Sequence, residues 1–291
     1  MAELAKTYHN DIQKNGIEPD GARRRECTET VLQNIETQPT EEQTEKLRQK
    51  ISGDEVEDAL RYSKKDSAAG IDGLTYEFWA EIDDQYHKDS QNEDIKAFNV
   101  IKLLTAAFND IQRFGVDPTT DFAEGWMCPI FKKKERDNIA NYRPITLLNT
   151  DYKLYTKALT LKLAQAAPTL IHKTQAGFIP GRQISEQTQL THMVMEYAAM
   201  NDPSEDEIRD GIIVALDQEK AYDKIMHDYL WKTLERFGIP EEFIKSPPVQ
   251  DHKRRPTGRP AVMLTIRPGN RTARSFAASV HPDRVQDTRS N

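Results

Sequence analysis

The stretch Gly211-Ile212-Ile213-Val214-Ala215-Leu216-Asp217-Gln218-Glu219-Lys220-Ala221-Tyr222-Asp223 joins five consecutive apolar residues to a carboxylate. Five residues are too few for a free-standing helix, and their β-branched content predicts a buried strand over 211–217. Beyond it, Tyr222, Ile225, Leu230, Leu234 and Phe237 recur at helical spacing, and Gly238-Ile239-Pro240 stops the pattern. This predicts an amphipathic helix beginning four residues after Asp217. A carboxylate at the carboxyl end of a central strand is where an α/β or α+β fold can hold a metal ion or a phosphate. It can equally cap the next turn, which is what a lone strand-terminal Asp usually does. The rest of the chain decides between the two.

Composition narrows the classes. Charged residues make up 30% of the 291 and apolar ones 37%, which suits a solvated surface around one large core or two modest ones. No apolar run approaches the roughly 20 residues of a membrane span. The N-terminus, Met1-Ala2-Glu3-Leu4-Ala5-Lys6, lacks a hydrophobic signal region. Together these predict an intracellular protein, nuclear or cytoplasmic, with no membrane partner. Cys27 and Cys128 are the only cysteines, which excludes a disulfide scaffold and a cysteine-rich zinc site. The net charge of −7 hides an asymmetry: residues 245–291 hold ten Lys/Arg against three Asp. Local basic patches at Lys132-Lys133-Lys134 and around Lys153, Lys157 and Lys162 therefore say more about partners than the total does.

Working back to the N-terminus, residues 1–60 read as a polar helical extension. Leu4, Tyr8 and Ile12 share a face that Gly16 ends, and Cys27, Val31, Leu32 and Ile35 form a second stripe. Ser52 with Glu55 is a capping-box pattern ahead of Val56, Ala59 and Leu60. Gly70-Ile71-Asp72-Gly73 marks a tight loop before a helix through Tyr76, Phe78, Trp79 and Ile82. That loop reads either as an ordinary turn or as backbone approaching a polyanion beside Lys64 and Lys65. A polar insert at 83–94 leads into a helix whose stripe of Ile101, Leu104, Phe108 and Ile111 is core. Strands at 126–131 and 142–148 predict a β-hairpin with a basic tip, and Pro144 places its strand at an edge. A helix from Asp151 to about Ala167 buries Tyr152, Tyr155, Leu159 and Leu163, turns Lys153, Lys157 and Lys162 outward, and stops at Pro168. A second glycine-marked loop, Gln175 to Arg182, opens a helix through Leu190, Val194 and Tyr197. Residues 245–291, rich in proline and arginine with Phe276 as the only aromatic, show no period and read as a disordered tail.

Three motifs in this order carry a resemblance: Asn141-Tyr142-Arg143-Pro144-Ile145-Thr146-Leu147-Leu148-Asn149, Gln175-Ala176-Gly177-Phe178-Ile179-Pro180-Gly181-Arg182, and Leu216-Asp217-Gln218-Glu219-Lys220-Ala221-Tyr222-Asp223. With the Gly-x-Asp-Gly element upstream, the chain over roughly 1–244 resembles the reverse transcriptases of non-LTR (LINE-type) retrotransposons. The resemblance implies an α+β fold: a partial polymerase right hand, with a helical extension at 1–60, a fingers-like region at 61–210 and the start of a palm at 211–244. It implies nucleotidyl transfer from a dNTP to a DNA primer 3′-OH on an RNA template, with two Mg²⁺ ions. Asp217 would be the catalytic carboxylate and first metal ligand, and Gln218 would add a carbonyl. Arg143 would pair with the triphosphate. Tyr222 would exclude a ribose 2′-OH. Lys132 would face nucleotide or template, with Lys133, Lys134, Gln175 and Arg182 on the nucleic acid. Asp223 is a family position too, with a helix-terminal or structural role.

The family's Tyr/Phe-x-Asp-Asp hairpin and its Gln-Gly-x-Pro-Leu-Ser-Pro segment do not follow Asp217. The resemblance stops at Phe243-Ile244, which predicts truncation within the palm by frameshift, internal truncation or a mis-spliced gene model. One carboxylate cannot hold two Mg²⁺ ions, so the expectation is a chain inactive by itself. The alternatives are a non-catalytic RNA- or DNA-binding remnant using the basic hairpin and arginine tail, or a relic without selected function.

Overall fold

The computed structural model describes residues 2–14, 21–117, 119–200, 213–218, 221–222 and 224–245. Helices α1 (Ala2–Lys14) and α2 (Gly21–Gln33) come first, followed by α3 (Glu41–Arg48) and α4 (Gly53–Arg61). Capping boxes start both α3 and α4. At α4 the Ser52 N–H donates to Glu55 Oε2 at 2.9 Å and the Glu55 N–H to Ser52 Oγ at 3.2 Å, as the sequence pattern predicts. Next come α5 (Tyr76–Asp89), α6 (Val100–Phe114), strands β1 (Gly125–Phe131) and β2 (Tyr142–Leu148), and α7 (Thr150–Ala164). The short α8 (Ala167–Leu170), the long α9 (Ile184–Met200), α10 (His227–Arg236) and α11 (Glu241–Lys245) complete the order. Helices with one small sheet make this an α+β fold.

The core sits where α4 packs on α6 and α7, with α3 and α11 closing one end. Val56 and Ala59 of α4 are wholly buried against Leu104 and Phe108 of α6 and Leu154 and Tyr155 of α7. The expected α6 stripe is therefore core. Gly115, at φ 81°, ends that helix where an L-residue with a side chain would be strained. Phe122, Tyr152, Tyr155 and Phe108 form a chain of ring contacts with centroids 5.2–6.2 Å apart. Leu47 and Ile51, from the stretch read as an N-terminal extension, belong to the same core as Ile239, Phe243 and Ile244 from the far end. Gly238, at φ 76°, makes the turn that sends α11 back onto α3.

Strands β1 and β2 pair antiparallel with Gly125 opposite Leu148 and Phe131 opposite Tyr142. The hairpin forms as the alternation predicts. The Lys132 N–H donates to Asn141 O just beyond the ladder. Because bonded and non-bonded pairs alternate, Pro129 and Pro144 face each other at a non-bonded pair. Their missing N–H groups would have pointed outward, so no ladder bond is lost. Both strands are edges, and each edge carries a proline.

Other expectations are corrected. Residues 213–218 form no strand: they pair with nothing among the described residues, and Leu216 is 89% exposed. Their β-propensity has no partner strand to satisfy it. Tyr222 and Ile225 precede the next helix, which begins only at His227. The polar insert begins later than expected, since α5 continues to Asp89. Pro168 lies in the first turn of α8, where a missing N–H costs nothing, instead of stopping α7. Lys162 is 5% exposed, its ammonium donating to Gln49 O and Lys50 O at 2.7 and 3.1 Å, with Glu55 Oε2 at 3.3 Å. Lys157 likewise donates to Tyr62 O, and Lys153 to Ala68 O at 3.0 Å. The lysines of α7 thus tie down the carbonyls of the preceding chain and form no free basic face. In α2 none of the expected stripe is buried. The expected polar stretch 201–210 and the tail 245–291, apart from Lys245, lie outside the described residues.

Candidate nucleic-acid site and the position of Asp217

One glycine decides how the hairpin meets the helices. A Cβ at Gly70 would stand 2.2 Å from Asn149 Oδ1 and 2.3 Å from the Asn149 main-chain nitrogen. The glycine of the Gly-x-Asp-Gly loop therefore serves a close approach to Asn149. Buried Asn149 accepts from the Asp72 N–H at 3.3 Å and donates through Nδ2 to Asp121 O at 3.1 Å. Its neighbour Thr150 accepts from Trp79 Nε1 at 2.8 Å and donates to Leu74 O at 3.1 Å. Two polar side chains at the start of α7 thus fix the loop, α5 and the base of the hairpin. Burial pushes the Asp151 carboxyl up beside them, with Asp72 adding to the rise. Sequence reasoning missed these roles. Asn149 ends the motif that begins at Asn141 and Thr150 follows it, but nothing local to them names a partner more than seventy residues away.

The hairpin tip is braced, and its lysines make no ion pair among the described residues. Tyr142 donates from its hydroxyl to Arg136 O at 2.8 Å, Asn141 Nδ2 donates to Glu135 O at 2.8 Å, and the Arg136 guanidinium lies 4.9 Å over the Phe131 ring. Lys134 adopts φ 72°, the left-handed conformation at the turn. Lys132, Lys133, Lys134 and Arg143 are exposed. Among the described residues no carboxylate pairs with any of the four. Arg143 stands opposite Ile130.

The second loop is held from inside. Arg182 donates from Nη1 to His172 O and Gln175 O at 2.6 and 2.8 Å, and from Nη2 to Pro168 O and Ile171 O at 3.0 and 2.8 Å. Four of its five donors are engaged in folding the loop. The structure thus makes this residue a clamp. Gln175 Nε2 donates to Gly177 O at 3.3 Å. Gly181 and Phe178 lie at φ 78° and 65°.

Asp217 and Gln218 lie at the exposed end of the unpaired 213–218 segment, and Tyr222 is also exposed. A Mg²⁺ ion takes six oxygen ligands, and two ions need shared carboxylates. Among the described residues no group of three or more His, Cys, Asp or Glu is placed to hold a metal. The described donor set around Asp217 therefore does not fit two Mg²⁺ ions.

Comparison with known proteins converges on the same region. The family model for reverse transcriptase (RNA-dependent DNA polymerase) matches residues 131–262, from the end of β1 to beyond Ile244, where the motif resemblance ends. A Xenopus laevis protein, the transposon TX1 uncharacterized 149 kDa protein, is 32% identical over 208 residues. That alignment covers 70% of this chain and 14% of the Xenopus protein, so the chain spans a small part of its relative's length. No helix among the described residues is long and apolar enough to cross a membrane. Motif order and both comparisons agree: residues 131–262 form a reverse-transcriptase segment of the kind that non-LTR retrotransposons carry.

Proposed function

We propose that this chain carries the fingers and the opening of the palm of an RNA-directed DNA polymerase, and that as 291 residues it binds nucleic acid without polymerising. The single observation behind this reading is the free basic hairpin, with Lys132, Lys133, Lys134 and Arg143 exposed and unpaired in a stretch matched by the family model. Unpaired, solvated cations on a rigid strand pair are suited to phosphates: a guanidinium offers two parallel donors and the ammoniums act as point charges. In this reading Arg143 holds the dNTP triphosphate and Lys132 the nucleotide or template. Lys133, Lys134 and Gln175 face the nucleic-acid backbone. Arg182 supports the loop carrying Gln175. Tyr222 stands at the sugar, and Asp217 with Gln218 supplies one side of a Mg²⁺ site.

The lone exposed Asp217 favours binding without catalysis. In a primer-extension assay with dNTPs and Mg²⁺ or Mn²⁺ on an RNA template, incorporation should not exceed that of Asp217→Ala. Filter binding of an RNA–DNA primer–template across a salt series should show affinity falling steeply with salt. Incorporation above the control would overturn the inactivity. Absence of salt-dependent binding would overturn the nucleic-acid reading itself.

A further inference from the structure

Helix α9 stands apart from the core. Its 17 residues run from Ile184 to Met200, about 25 Å of helix. None of its described side chains is buried, and none belongs to the core or packs against it. Leu190 is 49% exposed, Met193 65%, Val194 59% and Tyr197 62%. These four recur at i, i+3, i+4 and i+7, so they share one stripe of the helix. The helix holds no Lys or Arg, and its carboxylates are Glu186 and Glu196.

A helix of this length is marginal in water without packing, and this one gains none from the core. At about 100 Å² for each side chain, the stripe leaves roughly 400 Å² of apolar surface uncovered, the size of the largest patch on an ordinary monomer. Two carboxylates and no cation make the helix a poor surface for a polyanion. The stripe is instead complementary to itself. Antiparallel pairing about a two-fold axis between Met193 and Val194 sets Leu190 of one copy opposite Tyr197 of the other, and Met193 opposite Val194. A parallel pair would set each glutamate level with the same glutamate of the other copy, whereas the antiparallel one staggers them along the axis. Two stripes bury roughly 800 Å² between them and about 1,000 Å² with their flanks, the low end for a specific pair.

We propose that α9 is a self-association surface, which pairs antiparallel with α9 of a second copy of this chain through Leu190, Met193, Val194 and Tyr197. The small area makes the pair a reversible one of micromolar affinity. The inference is independent of the polymerase reading and uses none of the residues placed there on nucleotide or nucleic acid.

The test is sedimentation velocity of the full 291-residue chain from about 1 to about 100 µM, which brackets a micromolar pair. The 33.4 kDa monomer should pass to a dimer across that range. Met193→Glu/Val194→Glu should weaken the pair at least about tenfold, with the thermal unfolding of the core unchanged. On mild oxidation at the high concentration, Leu190→Cys/Tyr197→Cys should form a covalent dimer. Leu190→Cys alone should not, nor should the parent with Cys27 and Cys128. A parent that stays monomeric throughout overturns the proposal. So does a dimer that Met193→Glu/Val194→Glu retains in full, which would assign pairing to another surface. Equal cross-linking by Leu190→Cys alone would make the pair parallel and overturn the arrangement. Protection of α9 amides from hydrogen exchange at the low concentration would make another segment of the same chain the occupant, and overturns it as well.

Discussion

A methyl group at Gly70 would meet Asn149 at Oδ1, N and Cα, all within 2.4 Å. Two of those atoms are backbone, so no rotamer change relieves the clash. Gly70→Ala should therefore cost about 2 kcal/mol in urea unfolding, and adding Asn149→Ala should not restore it. Recovery in the double variant would show that the side chain alone sets the approach. Burial acts differently at Tyr152, whose phenol is pushed up to about 12. In the unfolded chain the phenol ionises near 10. Between those values only the unfolded state releases the proton, so stability holds below pH 10 and falls as pH rises from 10 to 12. Tyr152→Phe should make that alkaline decline shallower by about 1 kcal/mol per pH unit in denaturant titrations. An unchanged slope would assign the decline elsewhere, with buried Tyr155, also raised, the next group to examine.

The hairpin is a two-stranded element with two open edges, a geometry that invites pairing between copies. Pro129 and Pro144 blunt both edges at one level of the ladder, since neither offers an outward donor. Pro129→Val with Pro144→Val keeps every ladder bond and adds one outward N–H to each edge. The double variant should aggregate faster than the parent, by light scattering at equal concentration and with an unchanged far-UV spectrum at early times. An unchanged rate would show that the exposed tip, not the prolines, keeps copies apart. At the same scale the three lysines of α7 are attached to carbonyls at the ends of α3 and α4 and in the loop before α5, which converts apparent surface charge into tertiary anchoring.

Across the whole molecule, the core joins distant parts of the chain. Leu47 and Ile51 share it with Phe243 and Ile244, nearly two hundred residues away. Phe243→Ala should therefore cost about 3 kcal/mol and lower a single cooperative transition that α3 and α4 share. Two separate transitions would show α10 and α11 to be an independent unit. The same scale bears on chemistry, because nucleotidyl transfer needs carboxylates brought together from different elements. Among the described residues no group of three or more His, Cys, Asp or Glu is placed to hold a metal ion.

Much of this protein was decided locally and so was legible in order. The α6 stripe, the Ser52–Glu55 box, the hairpin and the three motifs that identify the family depend on residues within a turn or a strand of one another. Their chemistry is set by period and composition. What the sequence could not determine were contacts between distant residues. Lys162 reads as surface by its type and position, and only the carbonyls of Gln49 and Lys50 draw it inside. Gly70 reads as a turn residue, and only Asn149 makes its missing side chain essential. Arg182 reads as a phosphate ligand until four carbonyls occupy its donors. The run from Ile213 to Leu216 has every local mark of a buried strand, yet a strand exists only by pairing. Among the described residues that pairing is absent, so Ile213, Val214 and Leu216 stand exposed.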